Sequence, residues 1–337
     1  MLNDSDLQKT IEVLKRSRNV IITSHIRPDG DSCGSIMAMT RVLRSMGKKV
    51  QPIVLSPLAR WYEFLFDEKA PVLGNDISVK QLELEKGSDA DLIIIVDTNS
   101  QVQLPGFIDF LNKCRVGKTV LVIDHHITND GLGDVQLVDS TAAATGEIIY
   151  ELIKSAKWTI TKEIAEALFV AISTDTGWFR FSNADSRLYR NAADLLDVGV
   201  NPSQIYQKMY QNFSAQRMKL LSLVLSRIEL HFDDRVATQY IMRDDFDKTG
   251  TTGPDTENLI DECQRVTSVG AAAMFVELKD GSFRCSLRSK GAIDVREIAQ
   301  VHGGGGHTMA SGVTLPGPLD NAKQIVLDAM KQQLAHK

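Results

Sequence analysis

Four segments of this 337-residue chain end in side chains that can bind a cation or move a proton. The apolar run "NVIITS" at 19–24 is followed by His25, Asp29 and Asp31. "ADLIIIVD" ends at Asp97, and "TVLVID" ends at Asp124 with His125 and His126 next. "TKEIAEALFVAISTD" ends at Asp175. His25, Asp29, Asp31, Asp97, His125 and Asp175 together offer two imidazoles and four carboxylates. That mixture suits Mn, Fe, Co or Zn better than the all-oxygen surroundings preferred by Ca or Mg. Two divalent ions about 4 Å apart could activate a nucleophile and stabilise charge on a phosphoryl oxygen.

Each residue alone has an ordinary explanation. Asp29 and Asp31 suit a Pro-Asp-Gly turn, Asp97 and Asp175 suit helix caps, and one histidine says little. The Asp124-His125-His126 run is harder to explain structurally. The glycines of "HIRPDGDSCGS" suggest a phosphate loop, but no lysine sits where a P-loop requires one.

The elements that must position these residues read as an α/β layer. Residues 6–18 have helical periodicity, "NVIITS" is a strand, 31–46 is a helix ending near Gly47, and "KVQPIVL" is the next strand. Continuous apolar runs such as "LIIIV" are expected of parallel strands covered on both faces. Open sheets of this class bind ligands beyond the carboxyl ends of their strands, so the candidate ligands should meet on one edge. "ATGEIIYELIKSA" and "TKEIAEALFVAISTDTG" follow as helices.

A second region has a different texture. "VATQYIM", "VGAAAMFVEL" and "SFRCSLRS" read as strands and "TENLIDECQRV" as a helix, while "DVREIAQVHGGGGHTMASG" passes from helix to glycine-rich loop. The expected organisation is a parallel-sheet domain over 1–190, a helical connector over 191–227, and a smaller mixed-sheet domain over 228–337 across a cleft.

Composition excludes other classes. An apolar fraction of 43% and a charged fraction of 24% fit a chain with real cores. The net charge of -5 advertises no basic surface for long nucleic acid. No apolar run reaches membrane-spanning length, and Cys33, Cys114, Cys263 and Cys285 lack CxxC spacing, so a cytoplasmic protein with reduced thiols is expected.

These motifs, in this order, resemble the DHH/DHHA1 phosphoesterase superfamily, especially its small oligoribonucleases and 3'-phosphoadenosine 5'-phosphate (pAp) phosphatases. "SHIRPDGDSCGS", "VDTN", "DHH" and "STDTGWFRFSN" resemble its four N-terminal motifs, and "SLRS" and "GGGGHTMASG" its distal ones. The resemblance spans essentially the whole chain. It implies a dinuclear site in which His25 and Asp29 hold one ion, Asp31, His125 and Asp175 hold the other, and Asp97 bridges. It also implies that Asp124 orients a ligand histidine and that His126 faces the phosphate, with Mn as the leading metal. The expected activity is hydrolysis of short RNA to nucleoside 5'-monophosphates, with action on pAp. The alternatives are a linear or cyclic dinucleotide phosphodiesterase, an inorganic pyrophosphatase and an inactive nucleotide-binding module. A homodimer is compatible with this reading, and no obligate protein partner or membrane is expected.

In the distal motifs, Arg288 can grip a phosphate with two parallel N–H donors. Backbone N–H groups at Gly304, Gly305 and Gly306 can form an anion-binding concavity, and His307 emerges beside them. Arg284, four residues before Arg288, shares its strand parity and is a further basic candidate. Trp178 and Phe179 are read either as packing residues or as base contacts, and Tyr206, Tyr210 and Phe213 as helix packing.

Overall fold

The computed structural model describes residues 2–87 and 89–335. The chain divides into two compact units, Met1–Asn212 and Phe213–Lys337. The helices of the expected connector are therefore shared: Ser186–Asp197 and Pro202–Tyr210 lie in the first unit and Ala215–Leu225 in the second.

The first unit is built on five parallel strands: β1 (Asn19–Thr23), β2 (Lys49–Pro52), β3 (Leu92–Val96), β4 (Thr119–Asp124) and β5 (Val135–Val138). Their spatial order is β2-β1-β3-β4-β5, every neighbouring pair parallel. The chain thus leaves β1 toward one edge and returns to β3 on the other side. That places a topological switch point between β1 and β3, where a doubly wound sheet opens a crevice. All five residues of β3 are buried, which explains its unbroken apolar run. Burying each such side chain contributes about 1.5–3 kcal/mol. β5 was not anticipated from the sequence; Leu137 is its only buried residue, so it carries no apolar run.

The helix Gly30–Ser45 starts where Asp29 caps it, Oδ1 accepting from Ser32 N–H at 3.1 Å. It is buried along nearly its whole length and packs closely against Lys162–Asp175. Gly34 permits that approach: a Cβ there would sit 2.3 Å from the Ala167 carbonyl oxygen. The contact brings Asp31, on the first turn of one helix, toward Asp175, the last residue of the other.

The second unit carries a mixed sheet of six strands: β6 (Glu229–His231), β7 (Val236–Ile241), β8 (Ala271–Glu277), β9 (Phe283–Ser289), β10 (Gly305–Gly306) and β11 (Ala310–Leu315). The order is β10-β11-β9-β8-β7-β6, with β7 and β8 parallel and the other pairs antiparallel. One core gathers Phe275, Leu287, Ile298 and Val326, and a second gathers Leu220, Ile241, Ile260 and Met274. The segment expected as a helix at 256–266 is a 3-10 turn, Leu259–Arg265. Part of the glycine run, expected as loop, forms β10 instead.

Among the described residues, no helix is long and apolar enough to cross a membrane. No disulfide joins the four cysteines.

Candidate metal centre

The carboxyl ends of the first unit's strands bring the candidate ligands together. His25 follows β1, Asp97 follows β3, Asp124 ends β4 and His125 follows it. Asp29 and Asp31 begin the helix Gly30–Ser45, and Asp175 ends Lys162–Asp175. Potential ligand atoms of His25, Asp29 and Asp97 lie within 4.8 Å of one another, as do those of Asp31, His125 and Asp175. Asp97 Oδ2 is 3.4 Å from His25 Nε2 and Asp97 Oδ1 is 3.6 Å from His125 Nε2. Asp97 therefore addresses both groups with different oxygens. His125 Nε2 is also 3.3 Å from Asp175 Oδ2 and 3.8 Å from Asp31 Oδ2.

Much of this arrangement is held by hydrogen bonds the sequence reading missed. Ser32 Oγ donates to Asp97 Oδ2 at 2.7 Å and lies 2.6 Å from His25 Nε2. Ser24 Oγ donates to Ser32 Oγ at 2.9 Å. The helix Thr145–Ser155 aims its first amides at Asp31: Thr145 N–H meets Oδ2 at 2.6 Å and Gly146 N–H meets Oδ1 at 2.9 Å. Thr145 Oγ1 donates to Asp97 Oδ1 at 3.1 Å, and His125 Nδ1 faces the Ala142 carbonyl at 3.3 Å. A serine beside "DGD" and a threonine after three alanines carry no chemical signal of their own; only the fold shows what they hold.

Asp124 Oδ1 lies 2.8 Å from His126 Nδ1 and also accepts from the His126 backbone N–H at 3.1 Å. The histidine oriented by Asp124 is thus His126, the one assigned to phosphate, rather than the ligand candidate His125. Asp124 Oδ2 is buried with no hydrogen-bond partner, and Asp97, Asp124 and His126 form a third close group.

The charges of these groups adjust to one another. For Asp31, burial first, then the charges of Asp97, Asp175 and Asp29, raise the carboxyl well above the usual range. Burial raises Asp175 too; His125 draws it down, Asp29 and Asp97 push it back, and it titrates at about 7. Burial opposes the charged form of Asp97, yet the His25 hydrogen bond and the His126, His25 and His125 charges hold it below the usual carboxylate range. Burial likewise opposes protonation of His25, but the Asp97 hydrogen bond and the charges of Asp29 and Asp97 raise it to about 9. In that form both its nitrogens donate, Nδ1–H to the Ile26 carbonyl at 2.9 Å and Nε2–H to Ser32 Oγ. His126 is also raised to about 9: burial disfavours the charge, but Asp124, then Asp97 and Asp175, favour it.

Four crowded carboxylates beside two imidazoles are a donor set that fits two divalent cations. The repulsion that raises Asp31 and Asp175 is what a cation would relieve.

In the second unit, β9 alternates strictly, with Phe283, Cys285, Leu287 and Ser289 buried and Arg284, Ser286 and Arg288 on the other face. Arg288 Nε donates to Asp261 Oδ1 at 3.2 Å, and Arg284 donates to Thr256 Oγ1 at 2.6 Å. Gly304 N–H is taken by the Ala299 carbonyl at 2.8 Å, so the concavity expected of three glycine amides does not have that donor to offer. A Cβ on Gly304 would meet the Gly312 carbonyl at 2.3 Å, which gives this glycine a packing role against β11. Gly305 and Gly306 pair with Gly312 and Ser311, and His307 is exposed just beyond.

Trp178 and Phe179, both with left-handed backbone, join an aromatic cluster. Trp178 packs edge-on against Phe169, Tyr206 and Tyr210, while Phe179 lies beside Phe169 and Tyr189. Packing describes both.

Comparison with known proteins gives consistent results. The N-terminal domain model of the DHH family matches residues 19–172, and the DHHA1 domain model matches residues 233–336. A Thermus thermophilus protein named bifunctional oligoribonuclease and PAP phosphatase NrnA is 30% identical over 325 residues, covering 96% of this chain and 93% of that one. The Bacillus subtilis protein of the same name is 27% identical over 312 residues, covering 92% and 93%. The crystal structure of an exopolyphosphatase-related protein from Bacteroides fragilis superposes with a TM-score of 0.91 at 23% identity, covering 99% of this chain and 98% of that one. At that identity the likeness is one of fold.

Proposed function

The chain belongs to the DHH/DHHA1 phosphoesterases, and from that premise we propose that it hydrolyses short oligoribonucleotides to nucleoside 5'-monophosphates and converts pAp to AMP. The observation that carries this reading is the position of Asp97, which addresses His25 with one oxygen and His125 with the other. The substrate class is supported by the names of full-length relatives that act on oligoribonucleotides and PAP.

On this reading His25 and Asp29 would hold one cation, Asp31, His125 and Asp175 would hold a second, and Asp97 would serve both. The mixed nitrogen and oxygen donors suit Mn, Fe, Co or Zn, and the family resemblance makes Mn the leading choice. When bound, the cations supply Lewis acidity toward the phosphoryl oxygens and acidify water at the site. Ser32 and Thr145 fix the two Asp97 oxygens, so this carboxylate need not reorganise as charge develops. Asp124 holds the His126 ring through Nδ1, leaving Nε2 to meet a phosphoryl oxygen or to protonate the departing ribose oxygen. Water adds to phosphorus, the bond from phosphorus to the ribose oxygen breaks, and that oxygen leaves as a hydroxyl with the proton His126 gives it, which a proton of the attacking water replaces on the imidazole. In the second unit, Arg288, with Arg284, Gly305, Gly306 and His307, recognises a further phosphate of the substrate.

The test is a substrate panel with purified protein and added Mn2+: the dinucleotide pApA, longer RNA, pAp, cyclic-di-AMP and pyrophosphate. The reading requires pApA and pAp to be turned over fastest, with AMP as product. Preference for cyclic-di-AMP or pyrophosphate contradicts it, and metal binding without turnover identifies a nucleotide-binding module.

A further inference from the structure

Beside the metal centre lies a part-buried ion pair that the proposed chemistry does not use. Glu147, on the first turn of the helix Thr145–Ser155, is 1% exposed. Arg187, at the start of Ser186–Asp197, meets it as a fork: Nε donates to Oε1 at 2.9 Å and Nη2 to Oε2 at 3.1 Å. One turn later Asn191 Nδ2 donates to the same Oε1 at 3.2 Å. A third Arg187 nitrogen, Nη1, reaches Asp139 Oδ2 at 3.4 Å, and Glu147 Oε2 accepts from Ala143 N–H at 2.9 Å.

These contacts fasten the segment 139–147 at both ends and in the middle. The same segment supplies the Ala142 carbonyl facing His125, the Thr145 and Gly146 amides on Asp31, and the Thr145 hydroxyl on Asp97. One short stretch thus orients three of the six candidate ligands, and one guanidinium holds that stretch. A planar guanidinium suits this task because its donors are fixed relative to one another, whereas a lysine would offer a point charge without the fork.

We infer that Arg187 is a positioning residue for the metal centre, acting through Glu147 and Asp139 on the loop that orients Asp31, Asp97 and His125. This inference rests on the proposed metal site, and its readout is cation affinity rather than turnover. Loss of groups that orient metal ligands typically weakens affinity about 10- to 100-fold.

The experiment compares Mn2+ binding by calorimetry in the full-length wild type, Arg187→Met, Arg187→Lys and Arg41→Met. Arg41 is the control, since it binds the Glu163 and Leu65 carbonyls and Asp67 at the ends of the helices Gly30–Ser45 and Lys162–Asp175 that lie away from Asp31 and Asp175. Arg187→Met is expected to bind Mn2+ about 10- to 100-fold more weakly, while Arg41→Met lowers the thermal midpoint and keeps wild-type affinity. Wild-type affinity in folded Arg187→Met overturns the inference, as does an equal loss of affinity in Arg41→Met. Should Arg187→Met not fold, Arg187→Lys decides by the same comparison: weakened binding supports the inference and unchanged binding overturns it. A wild-type chain that does not bind Mn2+ at all contradicts the metal-site reading itself, and this inference with it.

Discussion

Asp124 Oδ1 stands 2.8 Å from His126 Nδ1, and the same oxygen accepts the backbone N–H of His126. Two bonds to one oxygen hold the imidazole in a single orientation beside Asp97, outside the groups His25-Asp29-Asp97 and Asp31-His125-Asp175. His126→Ala is therefore expected to keep its cations and lose rate. General acid–base assistance contributes about 10²- to 10⁴-fold, and single-turnover hydrolysis of pApA should slow within that range at unchanged Mn2+ stoichiometry. Loss of bound metal would place His126 among the ligands instead.

Asp97→Asn isolates the charge at the shared position. Asp97 has a φ of 62°, a conformation that asparagine tolerates better than most residues, so the backbone is preserved. The substitution removes one of four crowded carboxylates, and the fold should survive. The expected result is loss of cations at both groups and nearly abolished hydrolysis, read by metal analysis and turnover on the same samples. Normal occupancy with normal rate would rule out a bridging role.

Arg288→Ala and His307→Ala probe recognition in the second unit. A hydrogen bond to a charged group contributes about 1.5–3 kcal/mol, so Arg288→Ala should raise KM for pApA by roughly ten- to a hundred-fold, with metal content unchanged and a smaller effect from His307→Ala. An artificial phosphodiester with no second phosphate should be affected less by either. Equal losses on both substrates would point to damage to the fold, which thermal unfolding of the same samples would reveal.

Stability of the second unit should depend on acid through Asp245. Its side chain is buried; burial favours the neutral form, but the Arg227 fork and the Met242 N–H bring its titration below the usual carboxylate value. An unfolded aspartate titrates near ~3.9, so the stabilisation is complete above about pH 4 and is lost as pH falls through the lower folded value. Asp245→Asn should cost about 3 kcal/mol near neutrality, and the gap from wild type should narrow in acid. A gap independent of pH in urea unfolding would show that the carboxylate charge is not what stabilises the pair.

How far the sequence reveals this molecule follows from where each signal resides. β1, β3 and β4 are buried continuously, so their apolar runs announced both the parallel sheet and the edge on which His25, Asp97 and His125 meet. β5, β6 and β10 are short and mostly not buried, and carry no such run. β11 alternates buried Ser311, Val313 and Leu315 behind a glycine run that reads as loop. The segment 259–265 has helical spacing but winds as a tighter 3-10 turn. Ser32, Thr145 and Arg187 were not legible because their roles exist only in three dimensions: Thr145 and Asp31 are 114 residues apart, and Arg187 and Glu147 are 40 apart. Gly304 shows the converse, a residue whose type suggested an open amide and whose N–H is spent on Ala299.

The most direct test follows pApA and its products while metal-stripped protein is reloaded with Mn2+. The stripped protein should leave pApA intact. Addition of Mn2+ should then convert each pApA to two molecules of AMP, with the rate saturating as the cations bind. Turnover of pApA by the stripped protein, or intact pApA at saturating Mn2+, would contradict the assignment of this chain as a metal-dependent hydrolase of short oligoribonucleotides.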